Sequence, residues 1–143
     1  MLSDDERRRH LALVEREQLA SVMNDTTWEE LTAAMGALQP LPDWRCKEIS
    51  APGPGDWDAE WYYHLRPFHT IEWLEIGFVR PKRTPGRYAP APLTPSERAA
   101  GEARVCATLS ALGVPFSLEN GLVRVWGYTG PGAQPVWAHS PAT

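Results

Sequence analysis

The chain has 143 residues, enough for one ordinary domain and too few for two independent cores joined by a linker. Apolar residues make up 43% of it and aromatic residues 10%, which excludes a chain too polar to bury a core. The net charge of -4 argues against nonspecific nucleic-acid binding.

All 14 prolines lie at or beyond Pro40, so the first 39 residues can be helical without interruption. Ser3 followed by Glu6 has the spacing of a capping box and opens a helix expected to run from Asp4 to Met23. Its face carries Leu11, Val14 and Val22, interrupted by Gln18. Thr26 and Glu29 suggest a second capping box, and Trp28, Leu31, Met35 and Leu38 recur as one buried stripe. Pro40 and Pro42 end that helix.

The middle of the chain reads as strands. Trp44 to Ile49 is a short one and APGPGD is a turn. The run WDAEWYYHL then alternates, with Trp57, Ala59, Trp61, Tyr63 and Leu65 on one face and Asp58, Glu60, Tyr62 and His64 on the other. After the bend RPFH, residues 70–79 (TIEWLEIGFV) form an expected antiparallel partner for that run. They are apolar on both faces and so belong at the centre of a sheet covered by helices. Thr94 as N-cap, Pro95, Glu97 and the stop at Gly113 mark a third helix with Val105, Cys106, Leu109 and Leu112 as its apolar face. Asn120 and Gly121 suit a two-residue hairpin turn that pairs Leu118 with Val123 and Phe116 with Val125. The opposite hairpin face shows Glu119, Leu122, Arg124, Trp126 and Tyr128. The tail after Tyr128 has too much Gly and Pro to extend a sheet, although Val136 and Trp137 can pin it. The order ααβββαββ predicts a single α+β domain: two N-terminal helices, an antiparallel sheet of about five strands and one further helix.

Charge is unevenly placed. Residues 25–75 carry ten acids against three bases, whereas residues 80–93 hold Arg80, Lys82, Arg83 and Arg87 with no acid. An acidic body with one basic, proline-rich loop is the result. Cys46 and Cys106, far apart and without a CxxC pattern, read as reduced packing residues rather than a disulfide, a zinc site or a nucleophile. The apolar runs are too short to span a membrane, and MLSDDERRRH is charged where a signal peptide is apolar, so a cytoplasmic location is expected.

Catalytic signatures are missing. The sequence has no nucleophile elbow, Walker loop, dinucleotide fingerprint or HExxH pair, and it names no cofactor and no metal. Asp58, Glu60 and His64, with Glu72 or Glu75 from the next strand, are the residue types of a metal-dependent hydrolase, but alternating polar residues also mark the wet face of a half-buried sheet. His64 and His69 flank the bend. The chain has seven tryptophans; most belong in the core. Trp126 and Tyr128, beside Arg124, are the residue types of a binding hot spot.

The segments ASVMNDTTWEEL, WRCKEI, WDAEWYYH, TIEWLEI and LGVPFSLENGLVRVWGY resemble an uncharacterised bacterial domain-of-unknown-function family with MNDT-W, EW-YH, IEWL-I and GVPF…WGY signatures in this order. The resemblance runs from about residue 13 to 129 and implies no activity. Small acidic bacterial proteins of this kind are similar to immunity proteins by analogy. The leading expectation is therefore a module that binds a protein partner, such as a basic toxin, through Asp58, Glu60, Tyr62, His64, Glu72, Arg124, Trp126 and Tyr128. The alternatives are a small hydrolase using Asp58, Glu60, His64 and Glu72, or a small-ligand regulator with an aromatic pocket.

Overall fold

In the computed structural model, which describes residues 3–77, 94–132 and 134–141, Ser3 and Glu6 do form a capping box and open helix α1 (Asp4–Arg16). The helix stops seven residues short of the expected Met23. Gln18 takes a left-handed backbone conformation, φ 54°, and the Leu19 N–H closes back on the Val14 carbonyl at 2.9 Å. The chain then leaves as a two-residue strand, β1 (Ala20–Ser21). Helix α2 (Asp25–Gly36) is capped by Asn24 and not by Thr26: the Asn24 side-chain oxygen accepts from the Thr27 N–H at 2.8 Å. Asn is among the strongest N-cap residues, so it wins over the threonine two positions on. The stripe is as expected, with Trp28, Leu31 and Met35 buried and Leu38 packed against them.

Strand β2 (Asp43–Glu48) pairs antiparallel with β3 (Ile71–Gly77). The run WDAEWYYHL between them is not a strand. It makes one isolated bridge, Trp44 to Asp58, and otherwise bends and turns. Its alternation fails as well, since Trp61 and Leu65 are buried while Tyr63 is 82% exposed. Helix α3 (Pro95–Leu112) keeps every predicted end signal: the Thr94 and Glu97 capping box, Pro95 at the start and Gly113 at φ 74°. The hairpin β4 (Phe116–Glu119) and β5 (Leu122–Trp126) has the predicted register, Phe116 to Val125 and Leu118 to Val123. Asn120 and Gly121 at φ 52° and 78° supply the left-handed turn. Leu118 nevertheless stays 53% exposed at the turn end of the hairpin.

The tail departs from expectation. β6 (Tyr128–Thr129) pairs with β1, and β7 (Trp137–His139) adds an edge strand beside β4. Gly127 makes the switch between sheets: a Cβ there would collide with the Ile71 carbonyl oxygen. Its own N–H donates to the Glu72 carbonyl, and its carbonyl accepts from the Val22 N–H. Proline and glycine in the tail act as connectors around two short strands.

The result is an α+β fold with a five-stranded antiparallel sheet in the order β2-β3-β5-β4-β7 and a two-stranded β1-β6 ribbon. Helices α2 and α3 pack on one sheet face, where Trp28, Leu31, Met35, Val105 and Leu109 meet Leu74, Ile76, Phe116, Val123 and Val125. β3 lies between β2 and β5 and is buried over most of its length, as its apolar faces require. The basic 80–93 loop lies outside the described residues.

Trp126 is core: 5% exposed, its indole N–H donating to the Ser117 hydroxyl at 2.9 Å. Both hairpin faces are therefore covered. Val125→Ala is expected to cost about 1–3 kcal/mol and Trp126→Ala about 3–5 kcal/mol. Urea melts of both variants check the order, which reverses if the ring is a surface anchor.

Candidate functional site

Eight residues stood out in the sequence, and the fold distributes them over three places. Asp58, Glu60, Tyr62 and His64 share the turn between β2 and β3. Arg124 and Trp126 lie on the sheet face opposite the helices. Glu72 and Tyr128 line a cleft beside α1, which the Trp126 ring also reaches.

The turn owes its shape to its acids. Both Glu60 carboxylate oxygens accept backbone N–H groups: Tyr62 at 2.8 Å, Tyr63 at 3.1 and 2.9 Å, and His64 at 2.7 Å. These bonds, that from His64 first, hold the Glu60 pKa below the usual carboxylate range. Asp58 accepts from the Glu60 N–H at 2.8 Å and faces His64 Nδ1 at 2.7 Å. That contact raises the His64 pKa and keeps more of the ring charged near neutrality. Two indoles pin the turn to the body: Trp44 Nε1 donates to the Glu60 carbonyl and Trp61 Nε1 to the Pro42 carbonyl, at 2.8 and 2.9 Å. Arg66 completes the frame by donating to the Tyr62 carbonyl and to Glu29, each at 2.9 Å. On this scaffold Tyr62 is 54% and Tyr63 82% exposed.

The second sheet face is organised by a carboxylate. Register places Arg45, Glu75 and Arg124 side by side on β2, β3 and β5. Glu75, 1% exposed, accepts from Arg45 Nε at 2.7 Å through one oxygen and from Arg124 at 2.7 and 3.2 Å through the other. The Arg124 guanidinium lies 4.0 Å from the Trp73 ring centre and 5.2 Å from that of Trp126, and Arg45 lies 5.0 Å from Trp57. Charge and aromatic faces thus alternate across the strands. Arg124 is largely withdrawn from solvent, its side chain 17% exposed and two of its five N–H donors given to Glu75.

The cleft lies between α1 and the end of the sheet. Its larger part, about 510 Å³, is lined by Leu13, Lys47, Glu72, Trp126 and Tyr128 among others. Glu72 pairs with Lys47 at 2.9 Å. A smaller adjoining part of about 320 Å³ reaches His10 and His69. The Tyr128 hydroxyl donates to the His69 carbonyl at 2.9 Å and lies 3.3 Å from His10 Nε2.

This layout separates the hydrolase residues. Asp58 bridges Trp44 near the start of β2, whereas Glu72 reaches Lys47 near its end, and Glu60 is occupied by backbone donors. Among the described residues no three His, Cys, Asp or Glu side chains are placed to hold a metal ion. Both cysteines are free and half-buried, and burial pushes the Cys46 thiol up to about 11, far from thiolate chemistry at neutral pH. Tyr63, Arg45 and Glu75 were not among the eight. Glu75 was visible as a carboxylate inside an otherwise apolar strand, which demands cationic partners from the neighbouring strands. The signal for Tyr63 was the pair Asp58 and Glu60, whose side chains suit a turn as well as a strand.

Residues 10–132 match the model of a family of unknown function, DUF6678. No curated protein and no solved structure matches the chain.

Glu75→Ala leaves two guanidinium groups facing each other without a counter-charge and is expected to destabilise the fold by about 3–5 kcal/mol in a urea melt. A loss within experimental error would show that the triad is not structural.

Proposed function

We propose that this chain, which belongs to the DUF6678 family of unknown function, is a protein-binding module that meets a basic partner through the turn carrying Tyr62, Tyr63 and His64. The observation that supports this reading is Tyr63. An aromatic side chain 82% exposed stands on backbone already fixed by both oxygens of Glu60. Tyrosine offers a large contact area at the cost of few rotamers, and a backbone rigid before binding lowers the ordering cost. Acids surround it. Asp56 is exposed, Asp58 and Glu60 are half-buried, and residues 25–75 hold ten acids against three bases. A positively charged partner surface is favoured in encounter and in register.

In the specific form suggested by the analogy to immunity proteins, the partner is a basic toxin such as a nuclease, neutralised in the cytoplasm. No helix among the described residues is long and apolar enough to cross a membrane, which is consistent with that setting. The aromatic turn takes over the contact role that the sequence assigned to Arg124 and Trp126.

The test compares the wild-type chain with Tyr63→Ala and Asp56→Lys as baits in native lysate, followed by titration of any stoichiometric partner. Tyr63→Ala is expected to weaken binding about 30-fold or more, as loss of a hot-spot side chain does, with its melting curve unchanged. Asp56→Lys is expected to slow association at low salt and leave dissociation nearly unchanged. Asp56 suits this test better than Asp58 or Glu60, whose reversal dismantles the turn itself. A partner held equally by Tyr63→Ala overturns the proposal.

A further inference from the structure

We infer that the cleft between α1 and the end of the sheet binds a small zwitterion, a free α-amino acid with an apolar side chain, whose ammonium is taken by Glu72 and whose carboxylate is taken by Lys47. This rests on none of the contacts proposed for the Tyr63 turn.

The site begins with an irregularity in the sheet. On β3, Leu74 and Ile76 point into the helix-side core, and strict alternation would send residue 72 there as well. The pairing of β2 with β3 steps instead from Lys47–Trp73 to Glu48–Ile71, so Glu72 is skipped as the extra residue of a β-bulge. Ile71 takes the place in the core, and the Glu72 side chain turns to Lys47 at 2.9 Å. On the other side of β3 the ladder with β5 ends at Gly127, whose N–H donates to the Glu72 carbonyl at 2.8 Å. Two breaks at one point open the sheet. Bulges recur beside functional sites because they re-aim a side chain; here the re-aimed group is a carboxylate, and it lines the cleft.

The ion pair keeps capacity for a ligand. The Lys47 and Glu72 side chains are 18% and 23% exposed, so both charges are largely withdrawn from water. Lys47 gives two of its three protons, one to Glu72 and one to the Glu48 carbonyl at 3.1 Å. Among the described residues Glu72 accepts through Oε2 alone. One cationic donor and one anionic acceptor therefore remain side by side, and hydrogen bonds to ionised groups in such a place are the strong ones.

The rest of the lining selects the ligand. The larger part of the cleft has two bases and two acids, each base beside an acid: Lys47 with Glu72, and Arg16 with Glu17 at 3.4 Å. An anion would meet both carboxylates and a cation both bases, whereas a zwitterion sets each of its charges against the opposite one. An α-amino acid carries its two charges one carbon apart, which suits a donor and an acceptor that are themselves in contact. Leu13, Leu19, Ile49 and the Tyr128 ring surround the pair, an apolar wall with a few polar groups as in other ligand pockets. The volume of about 510 Å³ falls in the usual pocket range of roughly 300–1,000 Å³ and admits a large apolar side chain. Helix α1 buries none of its 13 residues, and a ligand seated against Leu13 supplies packing that a helix of this length needs.

Isothermal titration of the full chain with L-leucine and L-phenylalanine tests the site, alongside the deaminated and decarboxylated counterpart of each: isocaproate and isoamylamine for leucine, hydrocinnamate and phenethylamine for phenylalanine. At least one amino acid is expected to bind, with both of its single-charge counterparts weaker by about tenfold or more, the loss of one charge-assisted hydrogen bond. Glu72→Gln, which keeps the side-chain shape, is expected to weaken the amino acid by about the same factor and to leave the deaminated counterpart unchanged, since that molecule has no ammonium to lose; a urea melt checks that the variant is folded. The counterpart series in the wild-type chain decides the question without any variant. Three results overturn the site: neither amino acid binding at millimolar concentration, either counterpart binding as tightly as its parent, or a folded Glu72→Gln chain binding the amino acid as wild type does.

Discussion

Glu75 is nearly inaccessible to water, and an ionised carboxylate in that position is costly unless its oxygens are occupied by cationic donors. Arg45 and Arg124 meet that requirement from the strands on either side. They can do so only in one alignment of β2, β3 and β5, because a slip of one residue moves every side chain to the opposite face. The ion triad therefore selects the register that also points Leu74, Ile76, Val123 and Val125 at the helices. Its contribution is one of specificity more than of net stability, since a buried ion triad is a weak source of stability in itself.

The same triad explains where the tryptophans go. A guanidinium with its edge committed to a carboxylate still presents its flat faces, and aromatic rings cover them well. Trp73, Trp126 and Trp57 take those positions, so a sheet face that reads as mixed and polar is closed. Among the described residues the most exposed aromatic side chains are Tyr62 and Tyr63 of the turn before β3, where Glu60 ties the backbone in place beneath them. Rigid display at the turn and a loosely packed α1 are opposite solutions within one chain. The first depends on carboxylate bonds to backbone, the second on the few contacts that His10 makes with His69 and Tyr128.

Local signals were legible wherever a few adjacent residues decide the outcome. The ends of α3, the stripe of α2 and the Asn120–Gly121 turn, with the pairing it imposes, follow from capping, periodicity and left-handed backbone preference. The tract from Trp57 to Leu65 misled because alternation is also what a turn shows when indoles anchor it at intervals. Trp61 and Leu65 are buried four residues apart, a spacing compatible with a turn, and Asp58 and Glu60 fold back onto their own backbone instead of facing water. The first helix misled for a related reason: its apolar residues continue to Val22, but the left-handed Gln18 diverts the chain into β1.

The sequence by itself determined the α+β class, the interior position of the strand at 71–77, the hairpin register and the acidic character of the middle segment, because each depends on neighbours along the chain or on composition. Only the tertiary structure decided which polar residues are available for contact. Arg124 and Trp126 are held by Glu75 and Ser117, Glu72 by Lys47, and Asp58 and Glu60 by the turn they build, while Tyr63 is left in solvent. Availability of this kind is set by partners distant in sequence: Glu75 and Arg124 are 49 residues apart, and His10 and Tyr128 are 118 apart. The spacing of residue types along a strand carries no information about a donor that arrives from so far away.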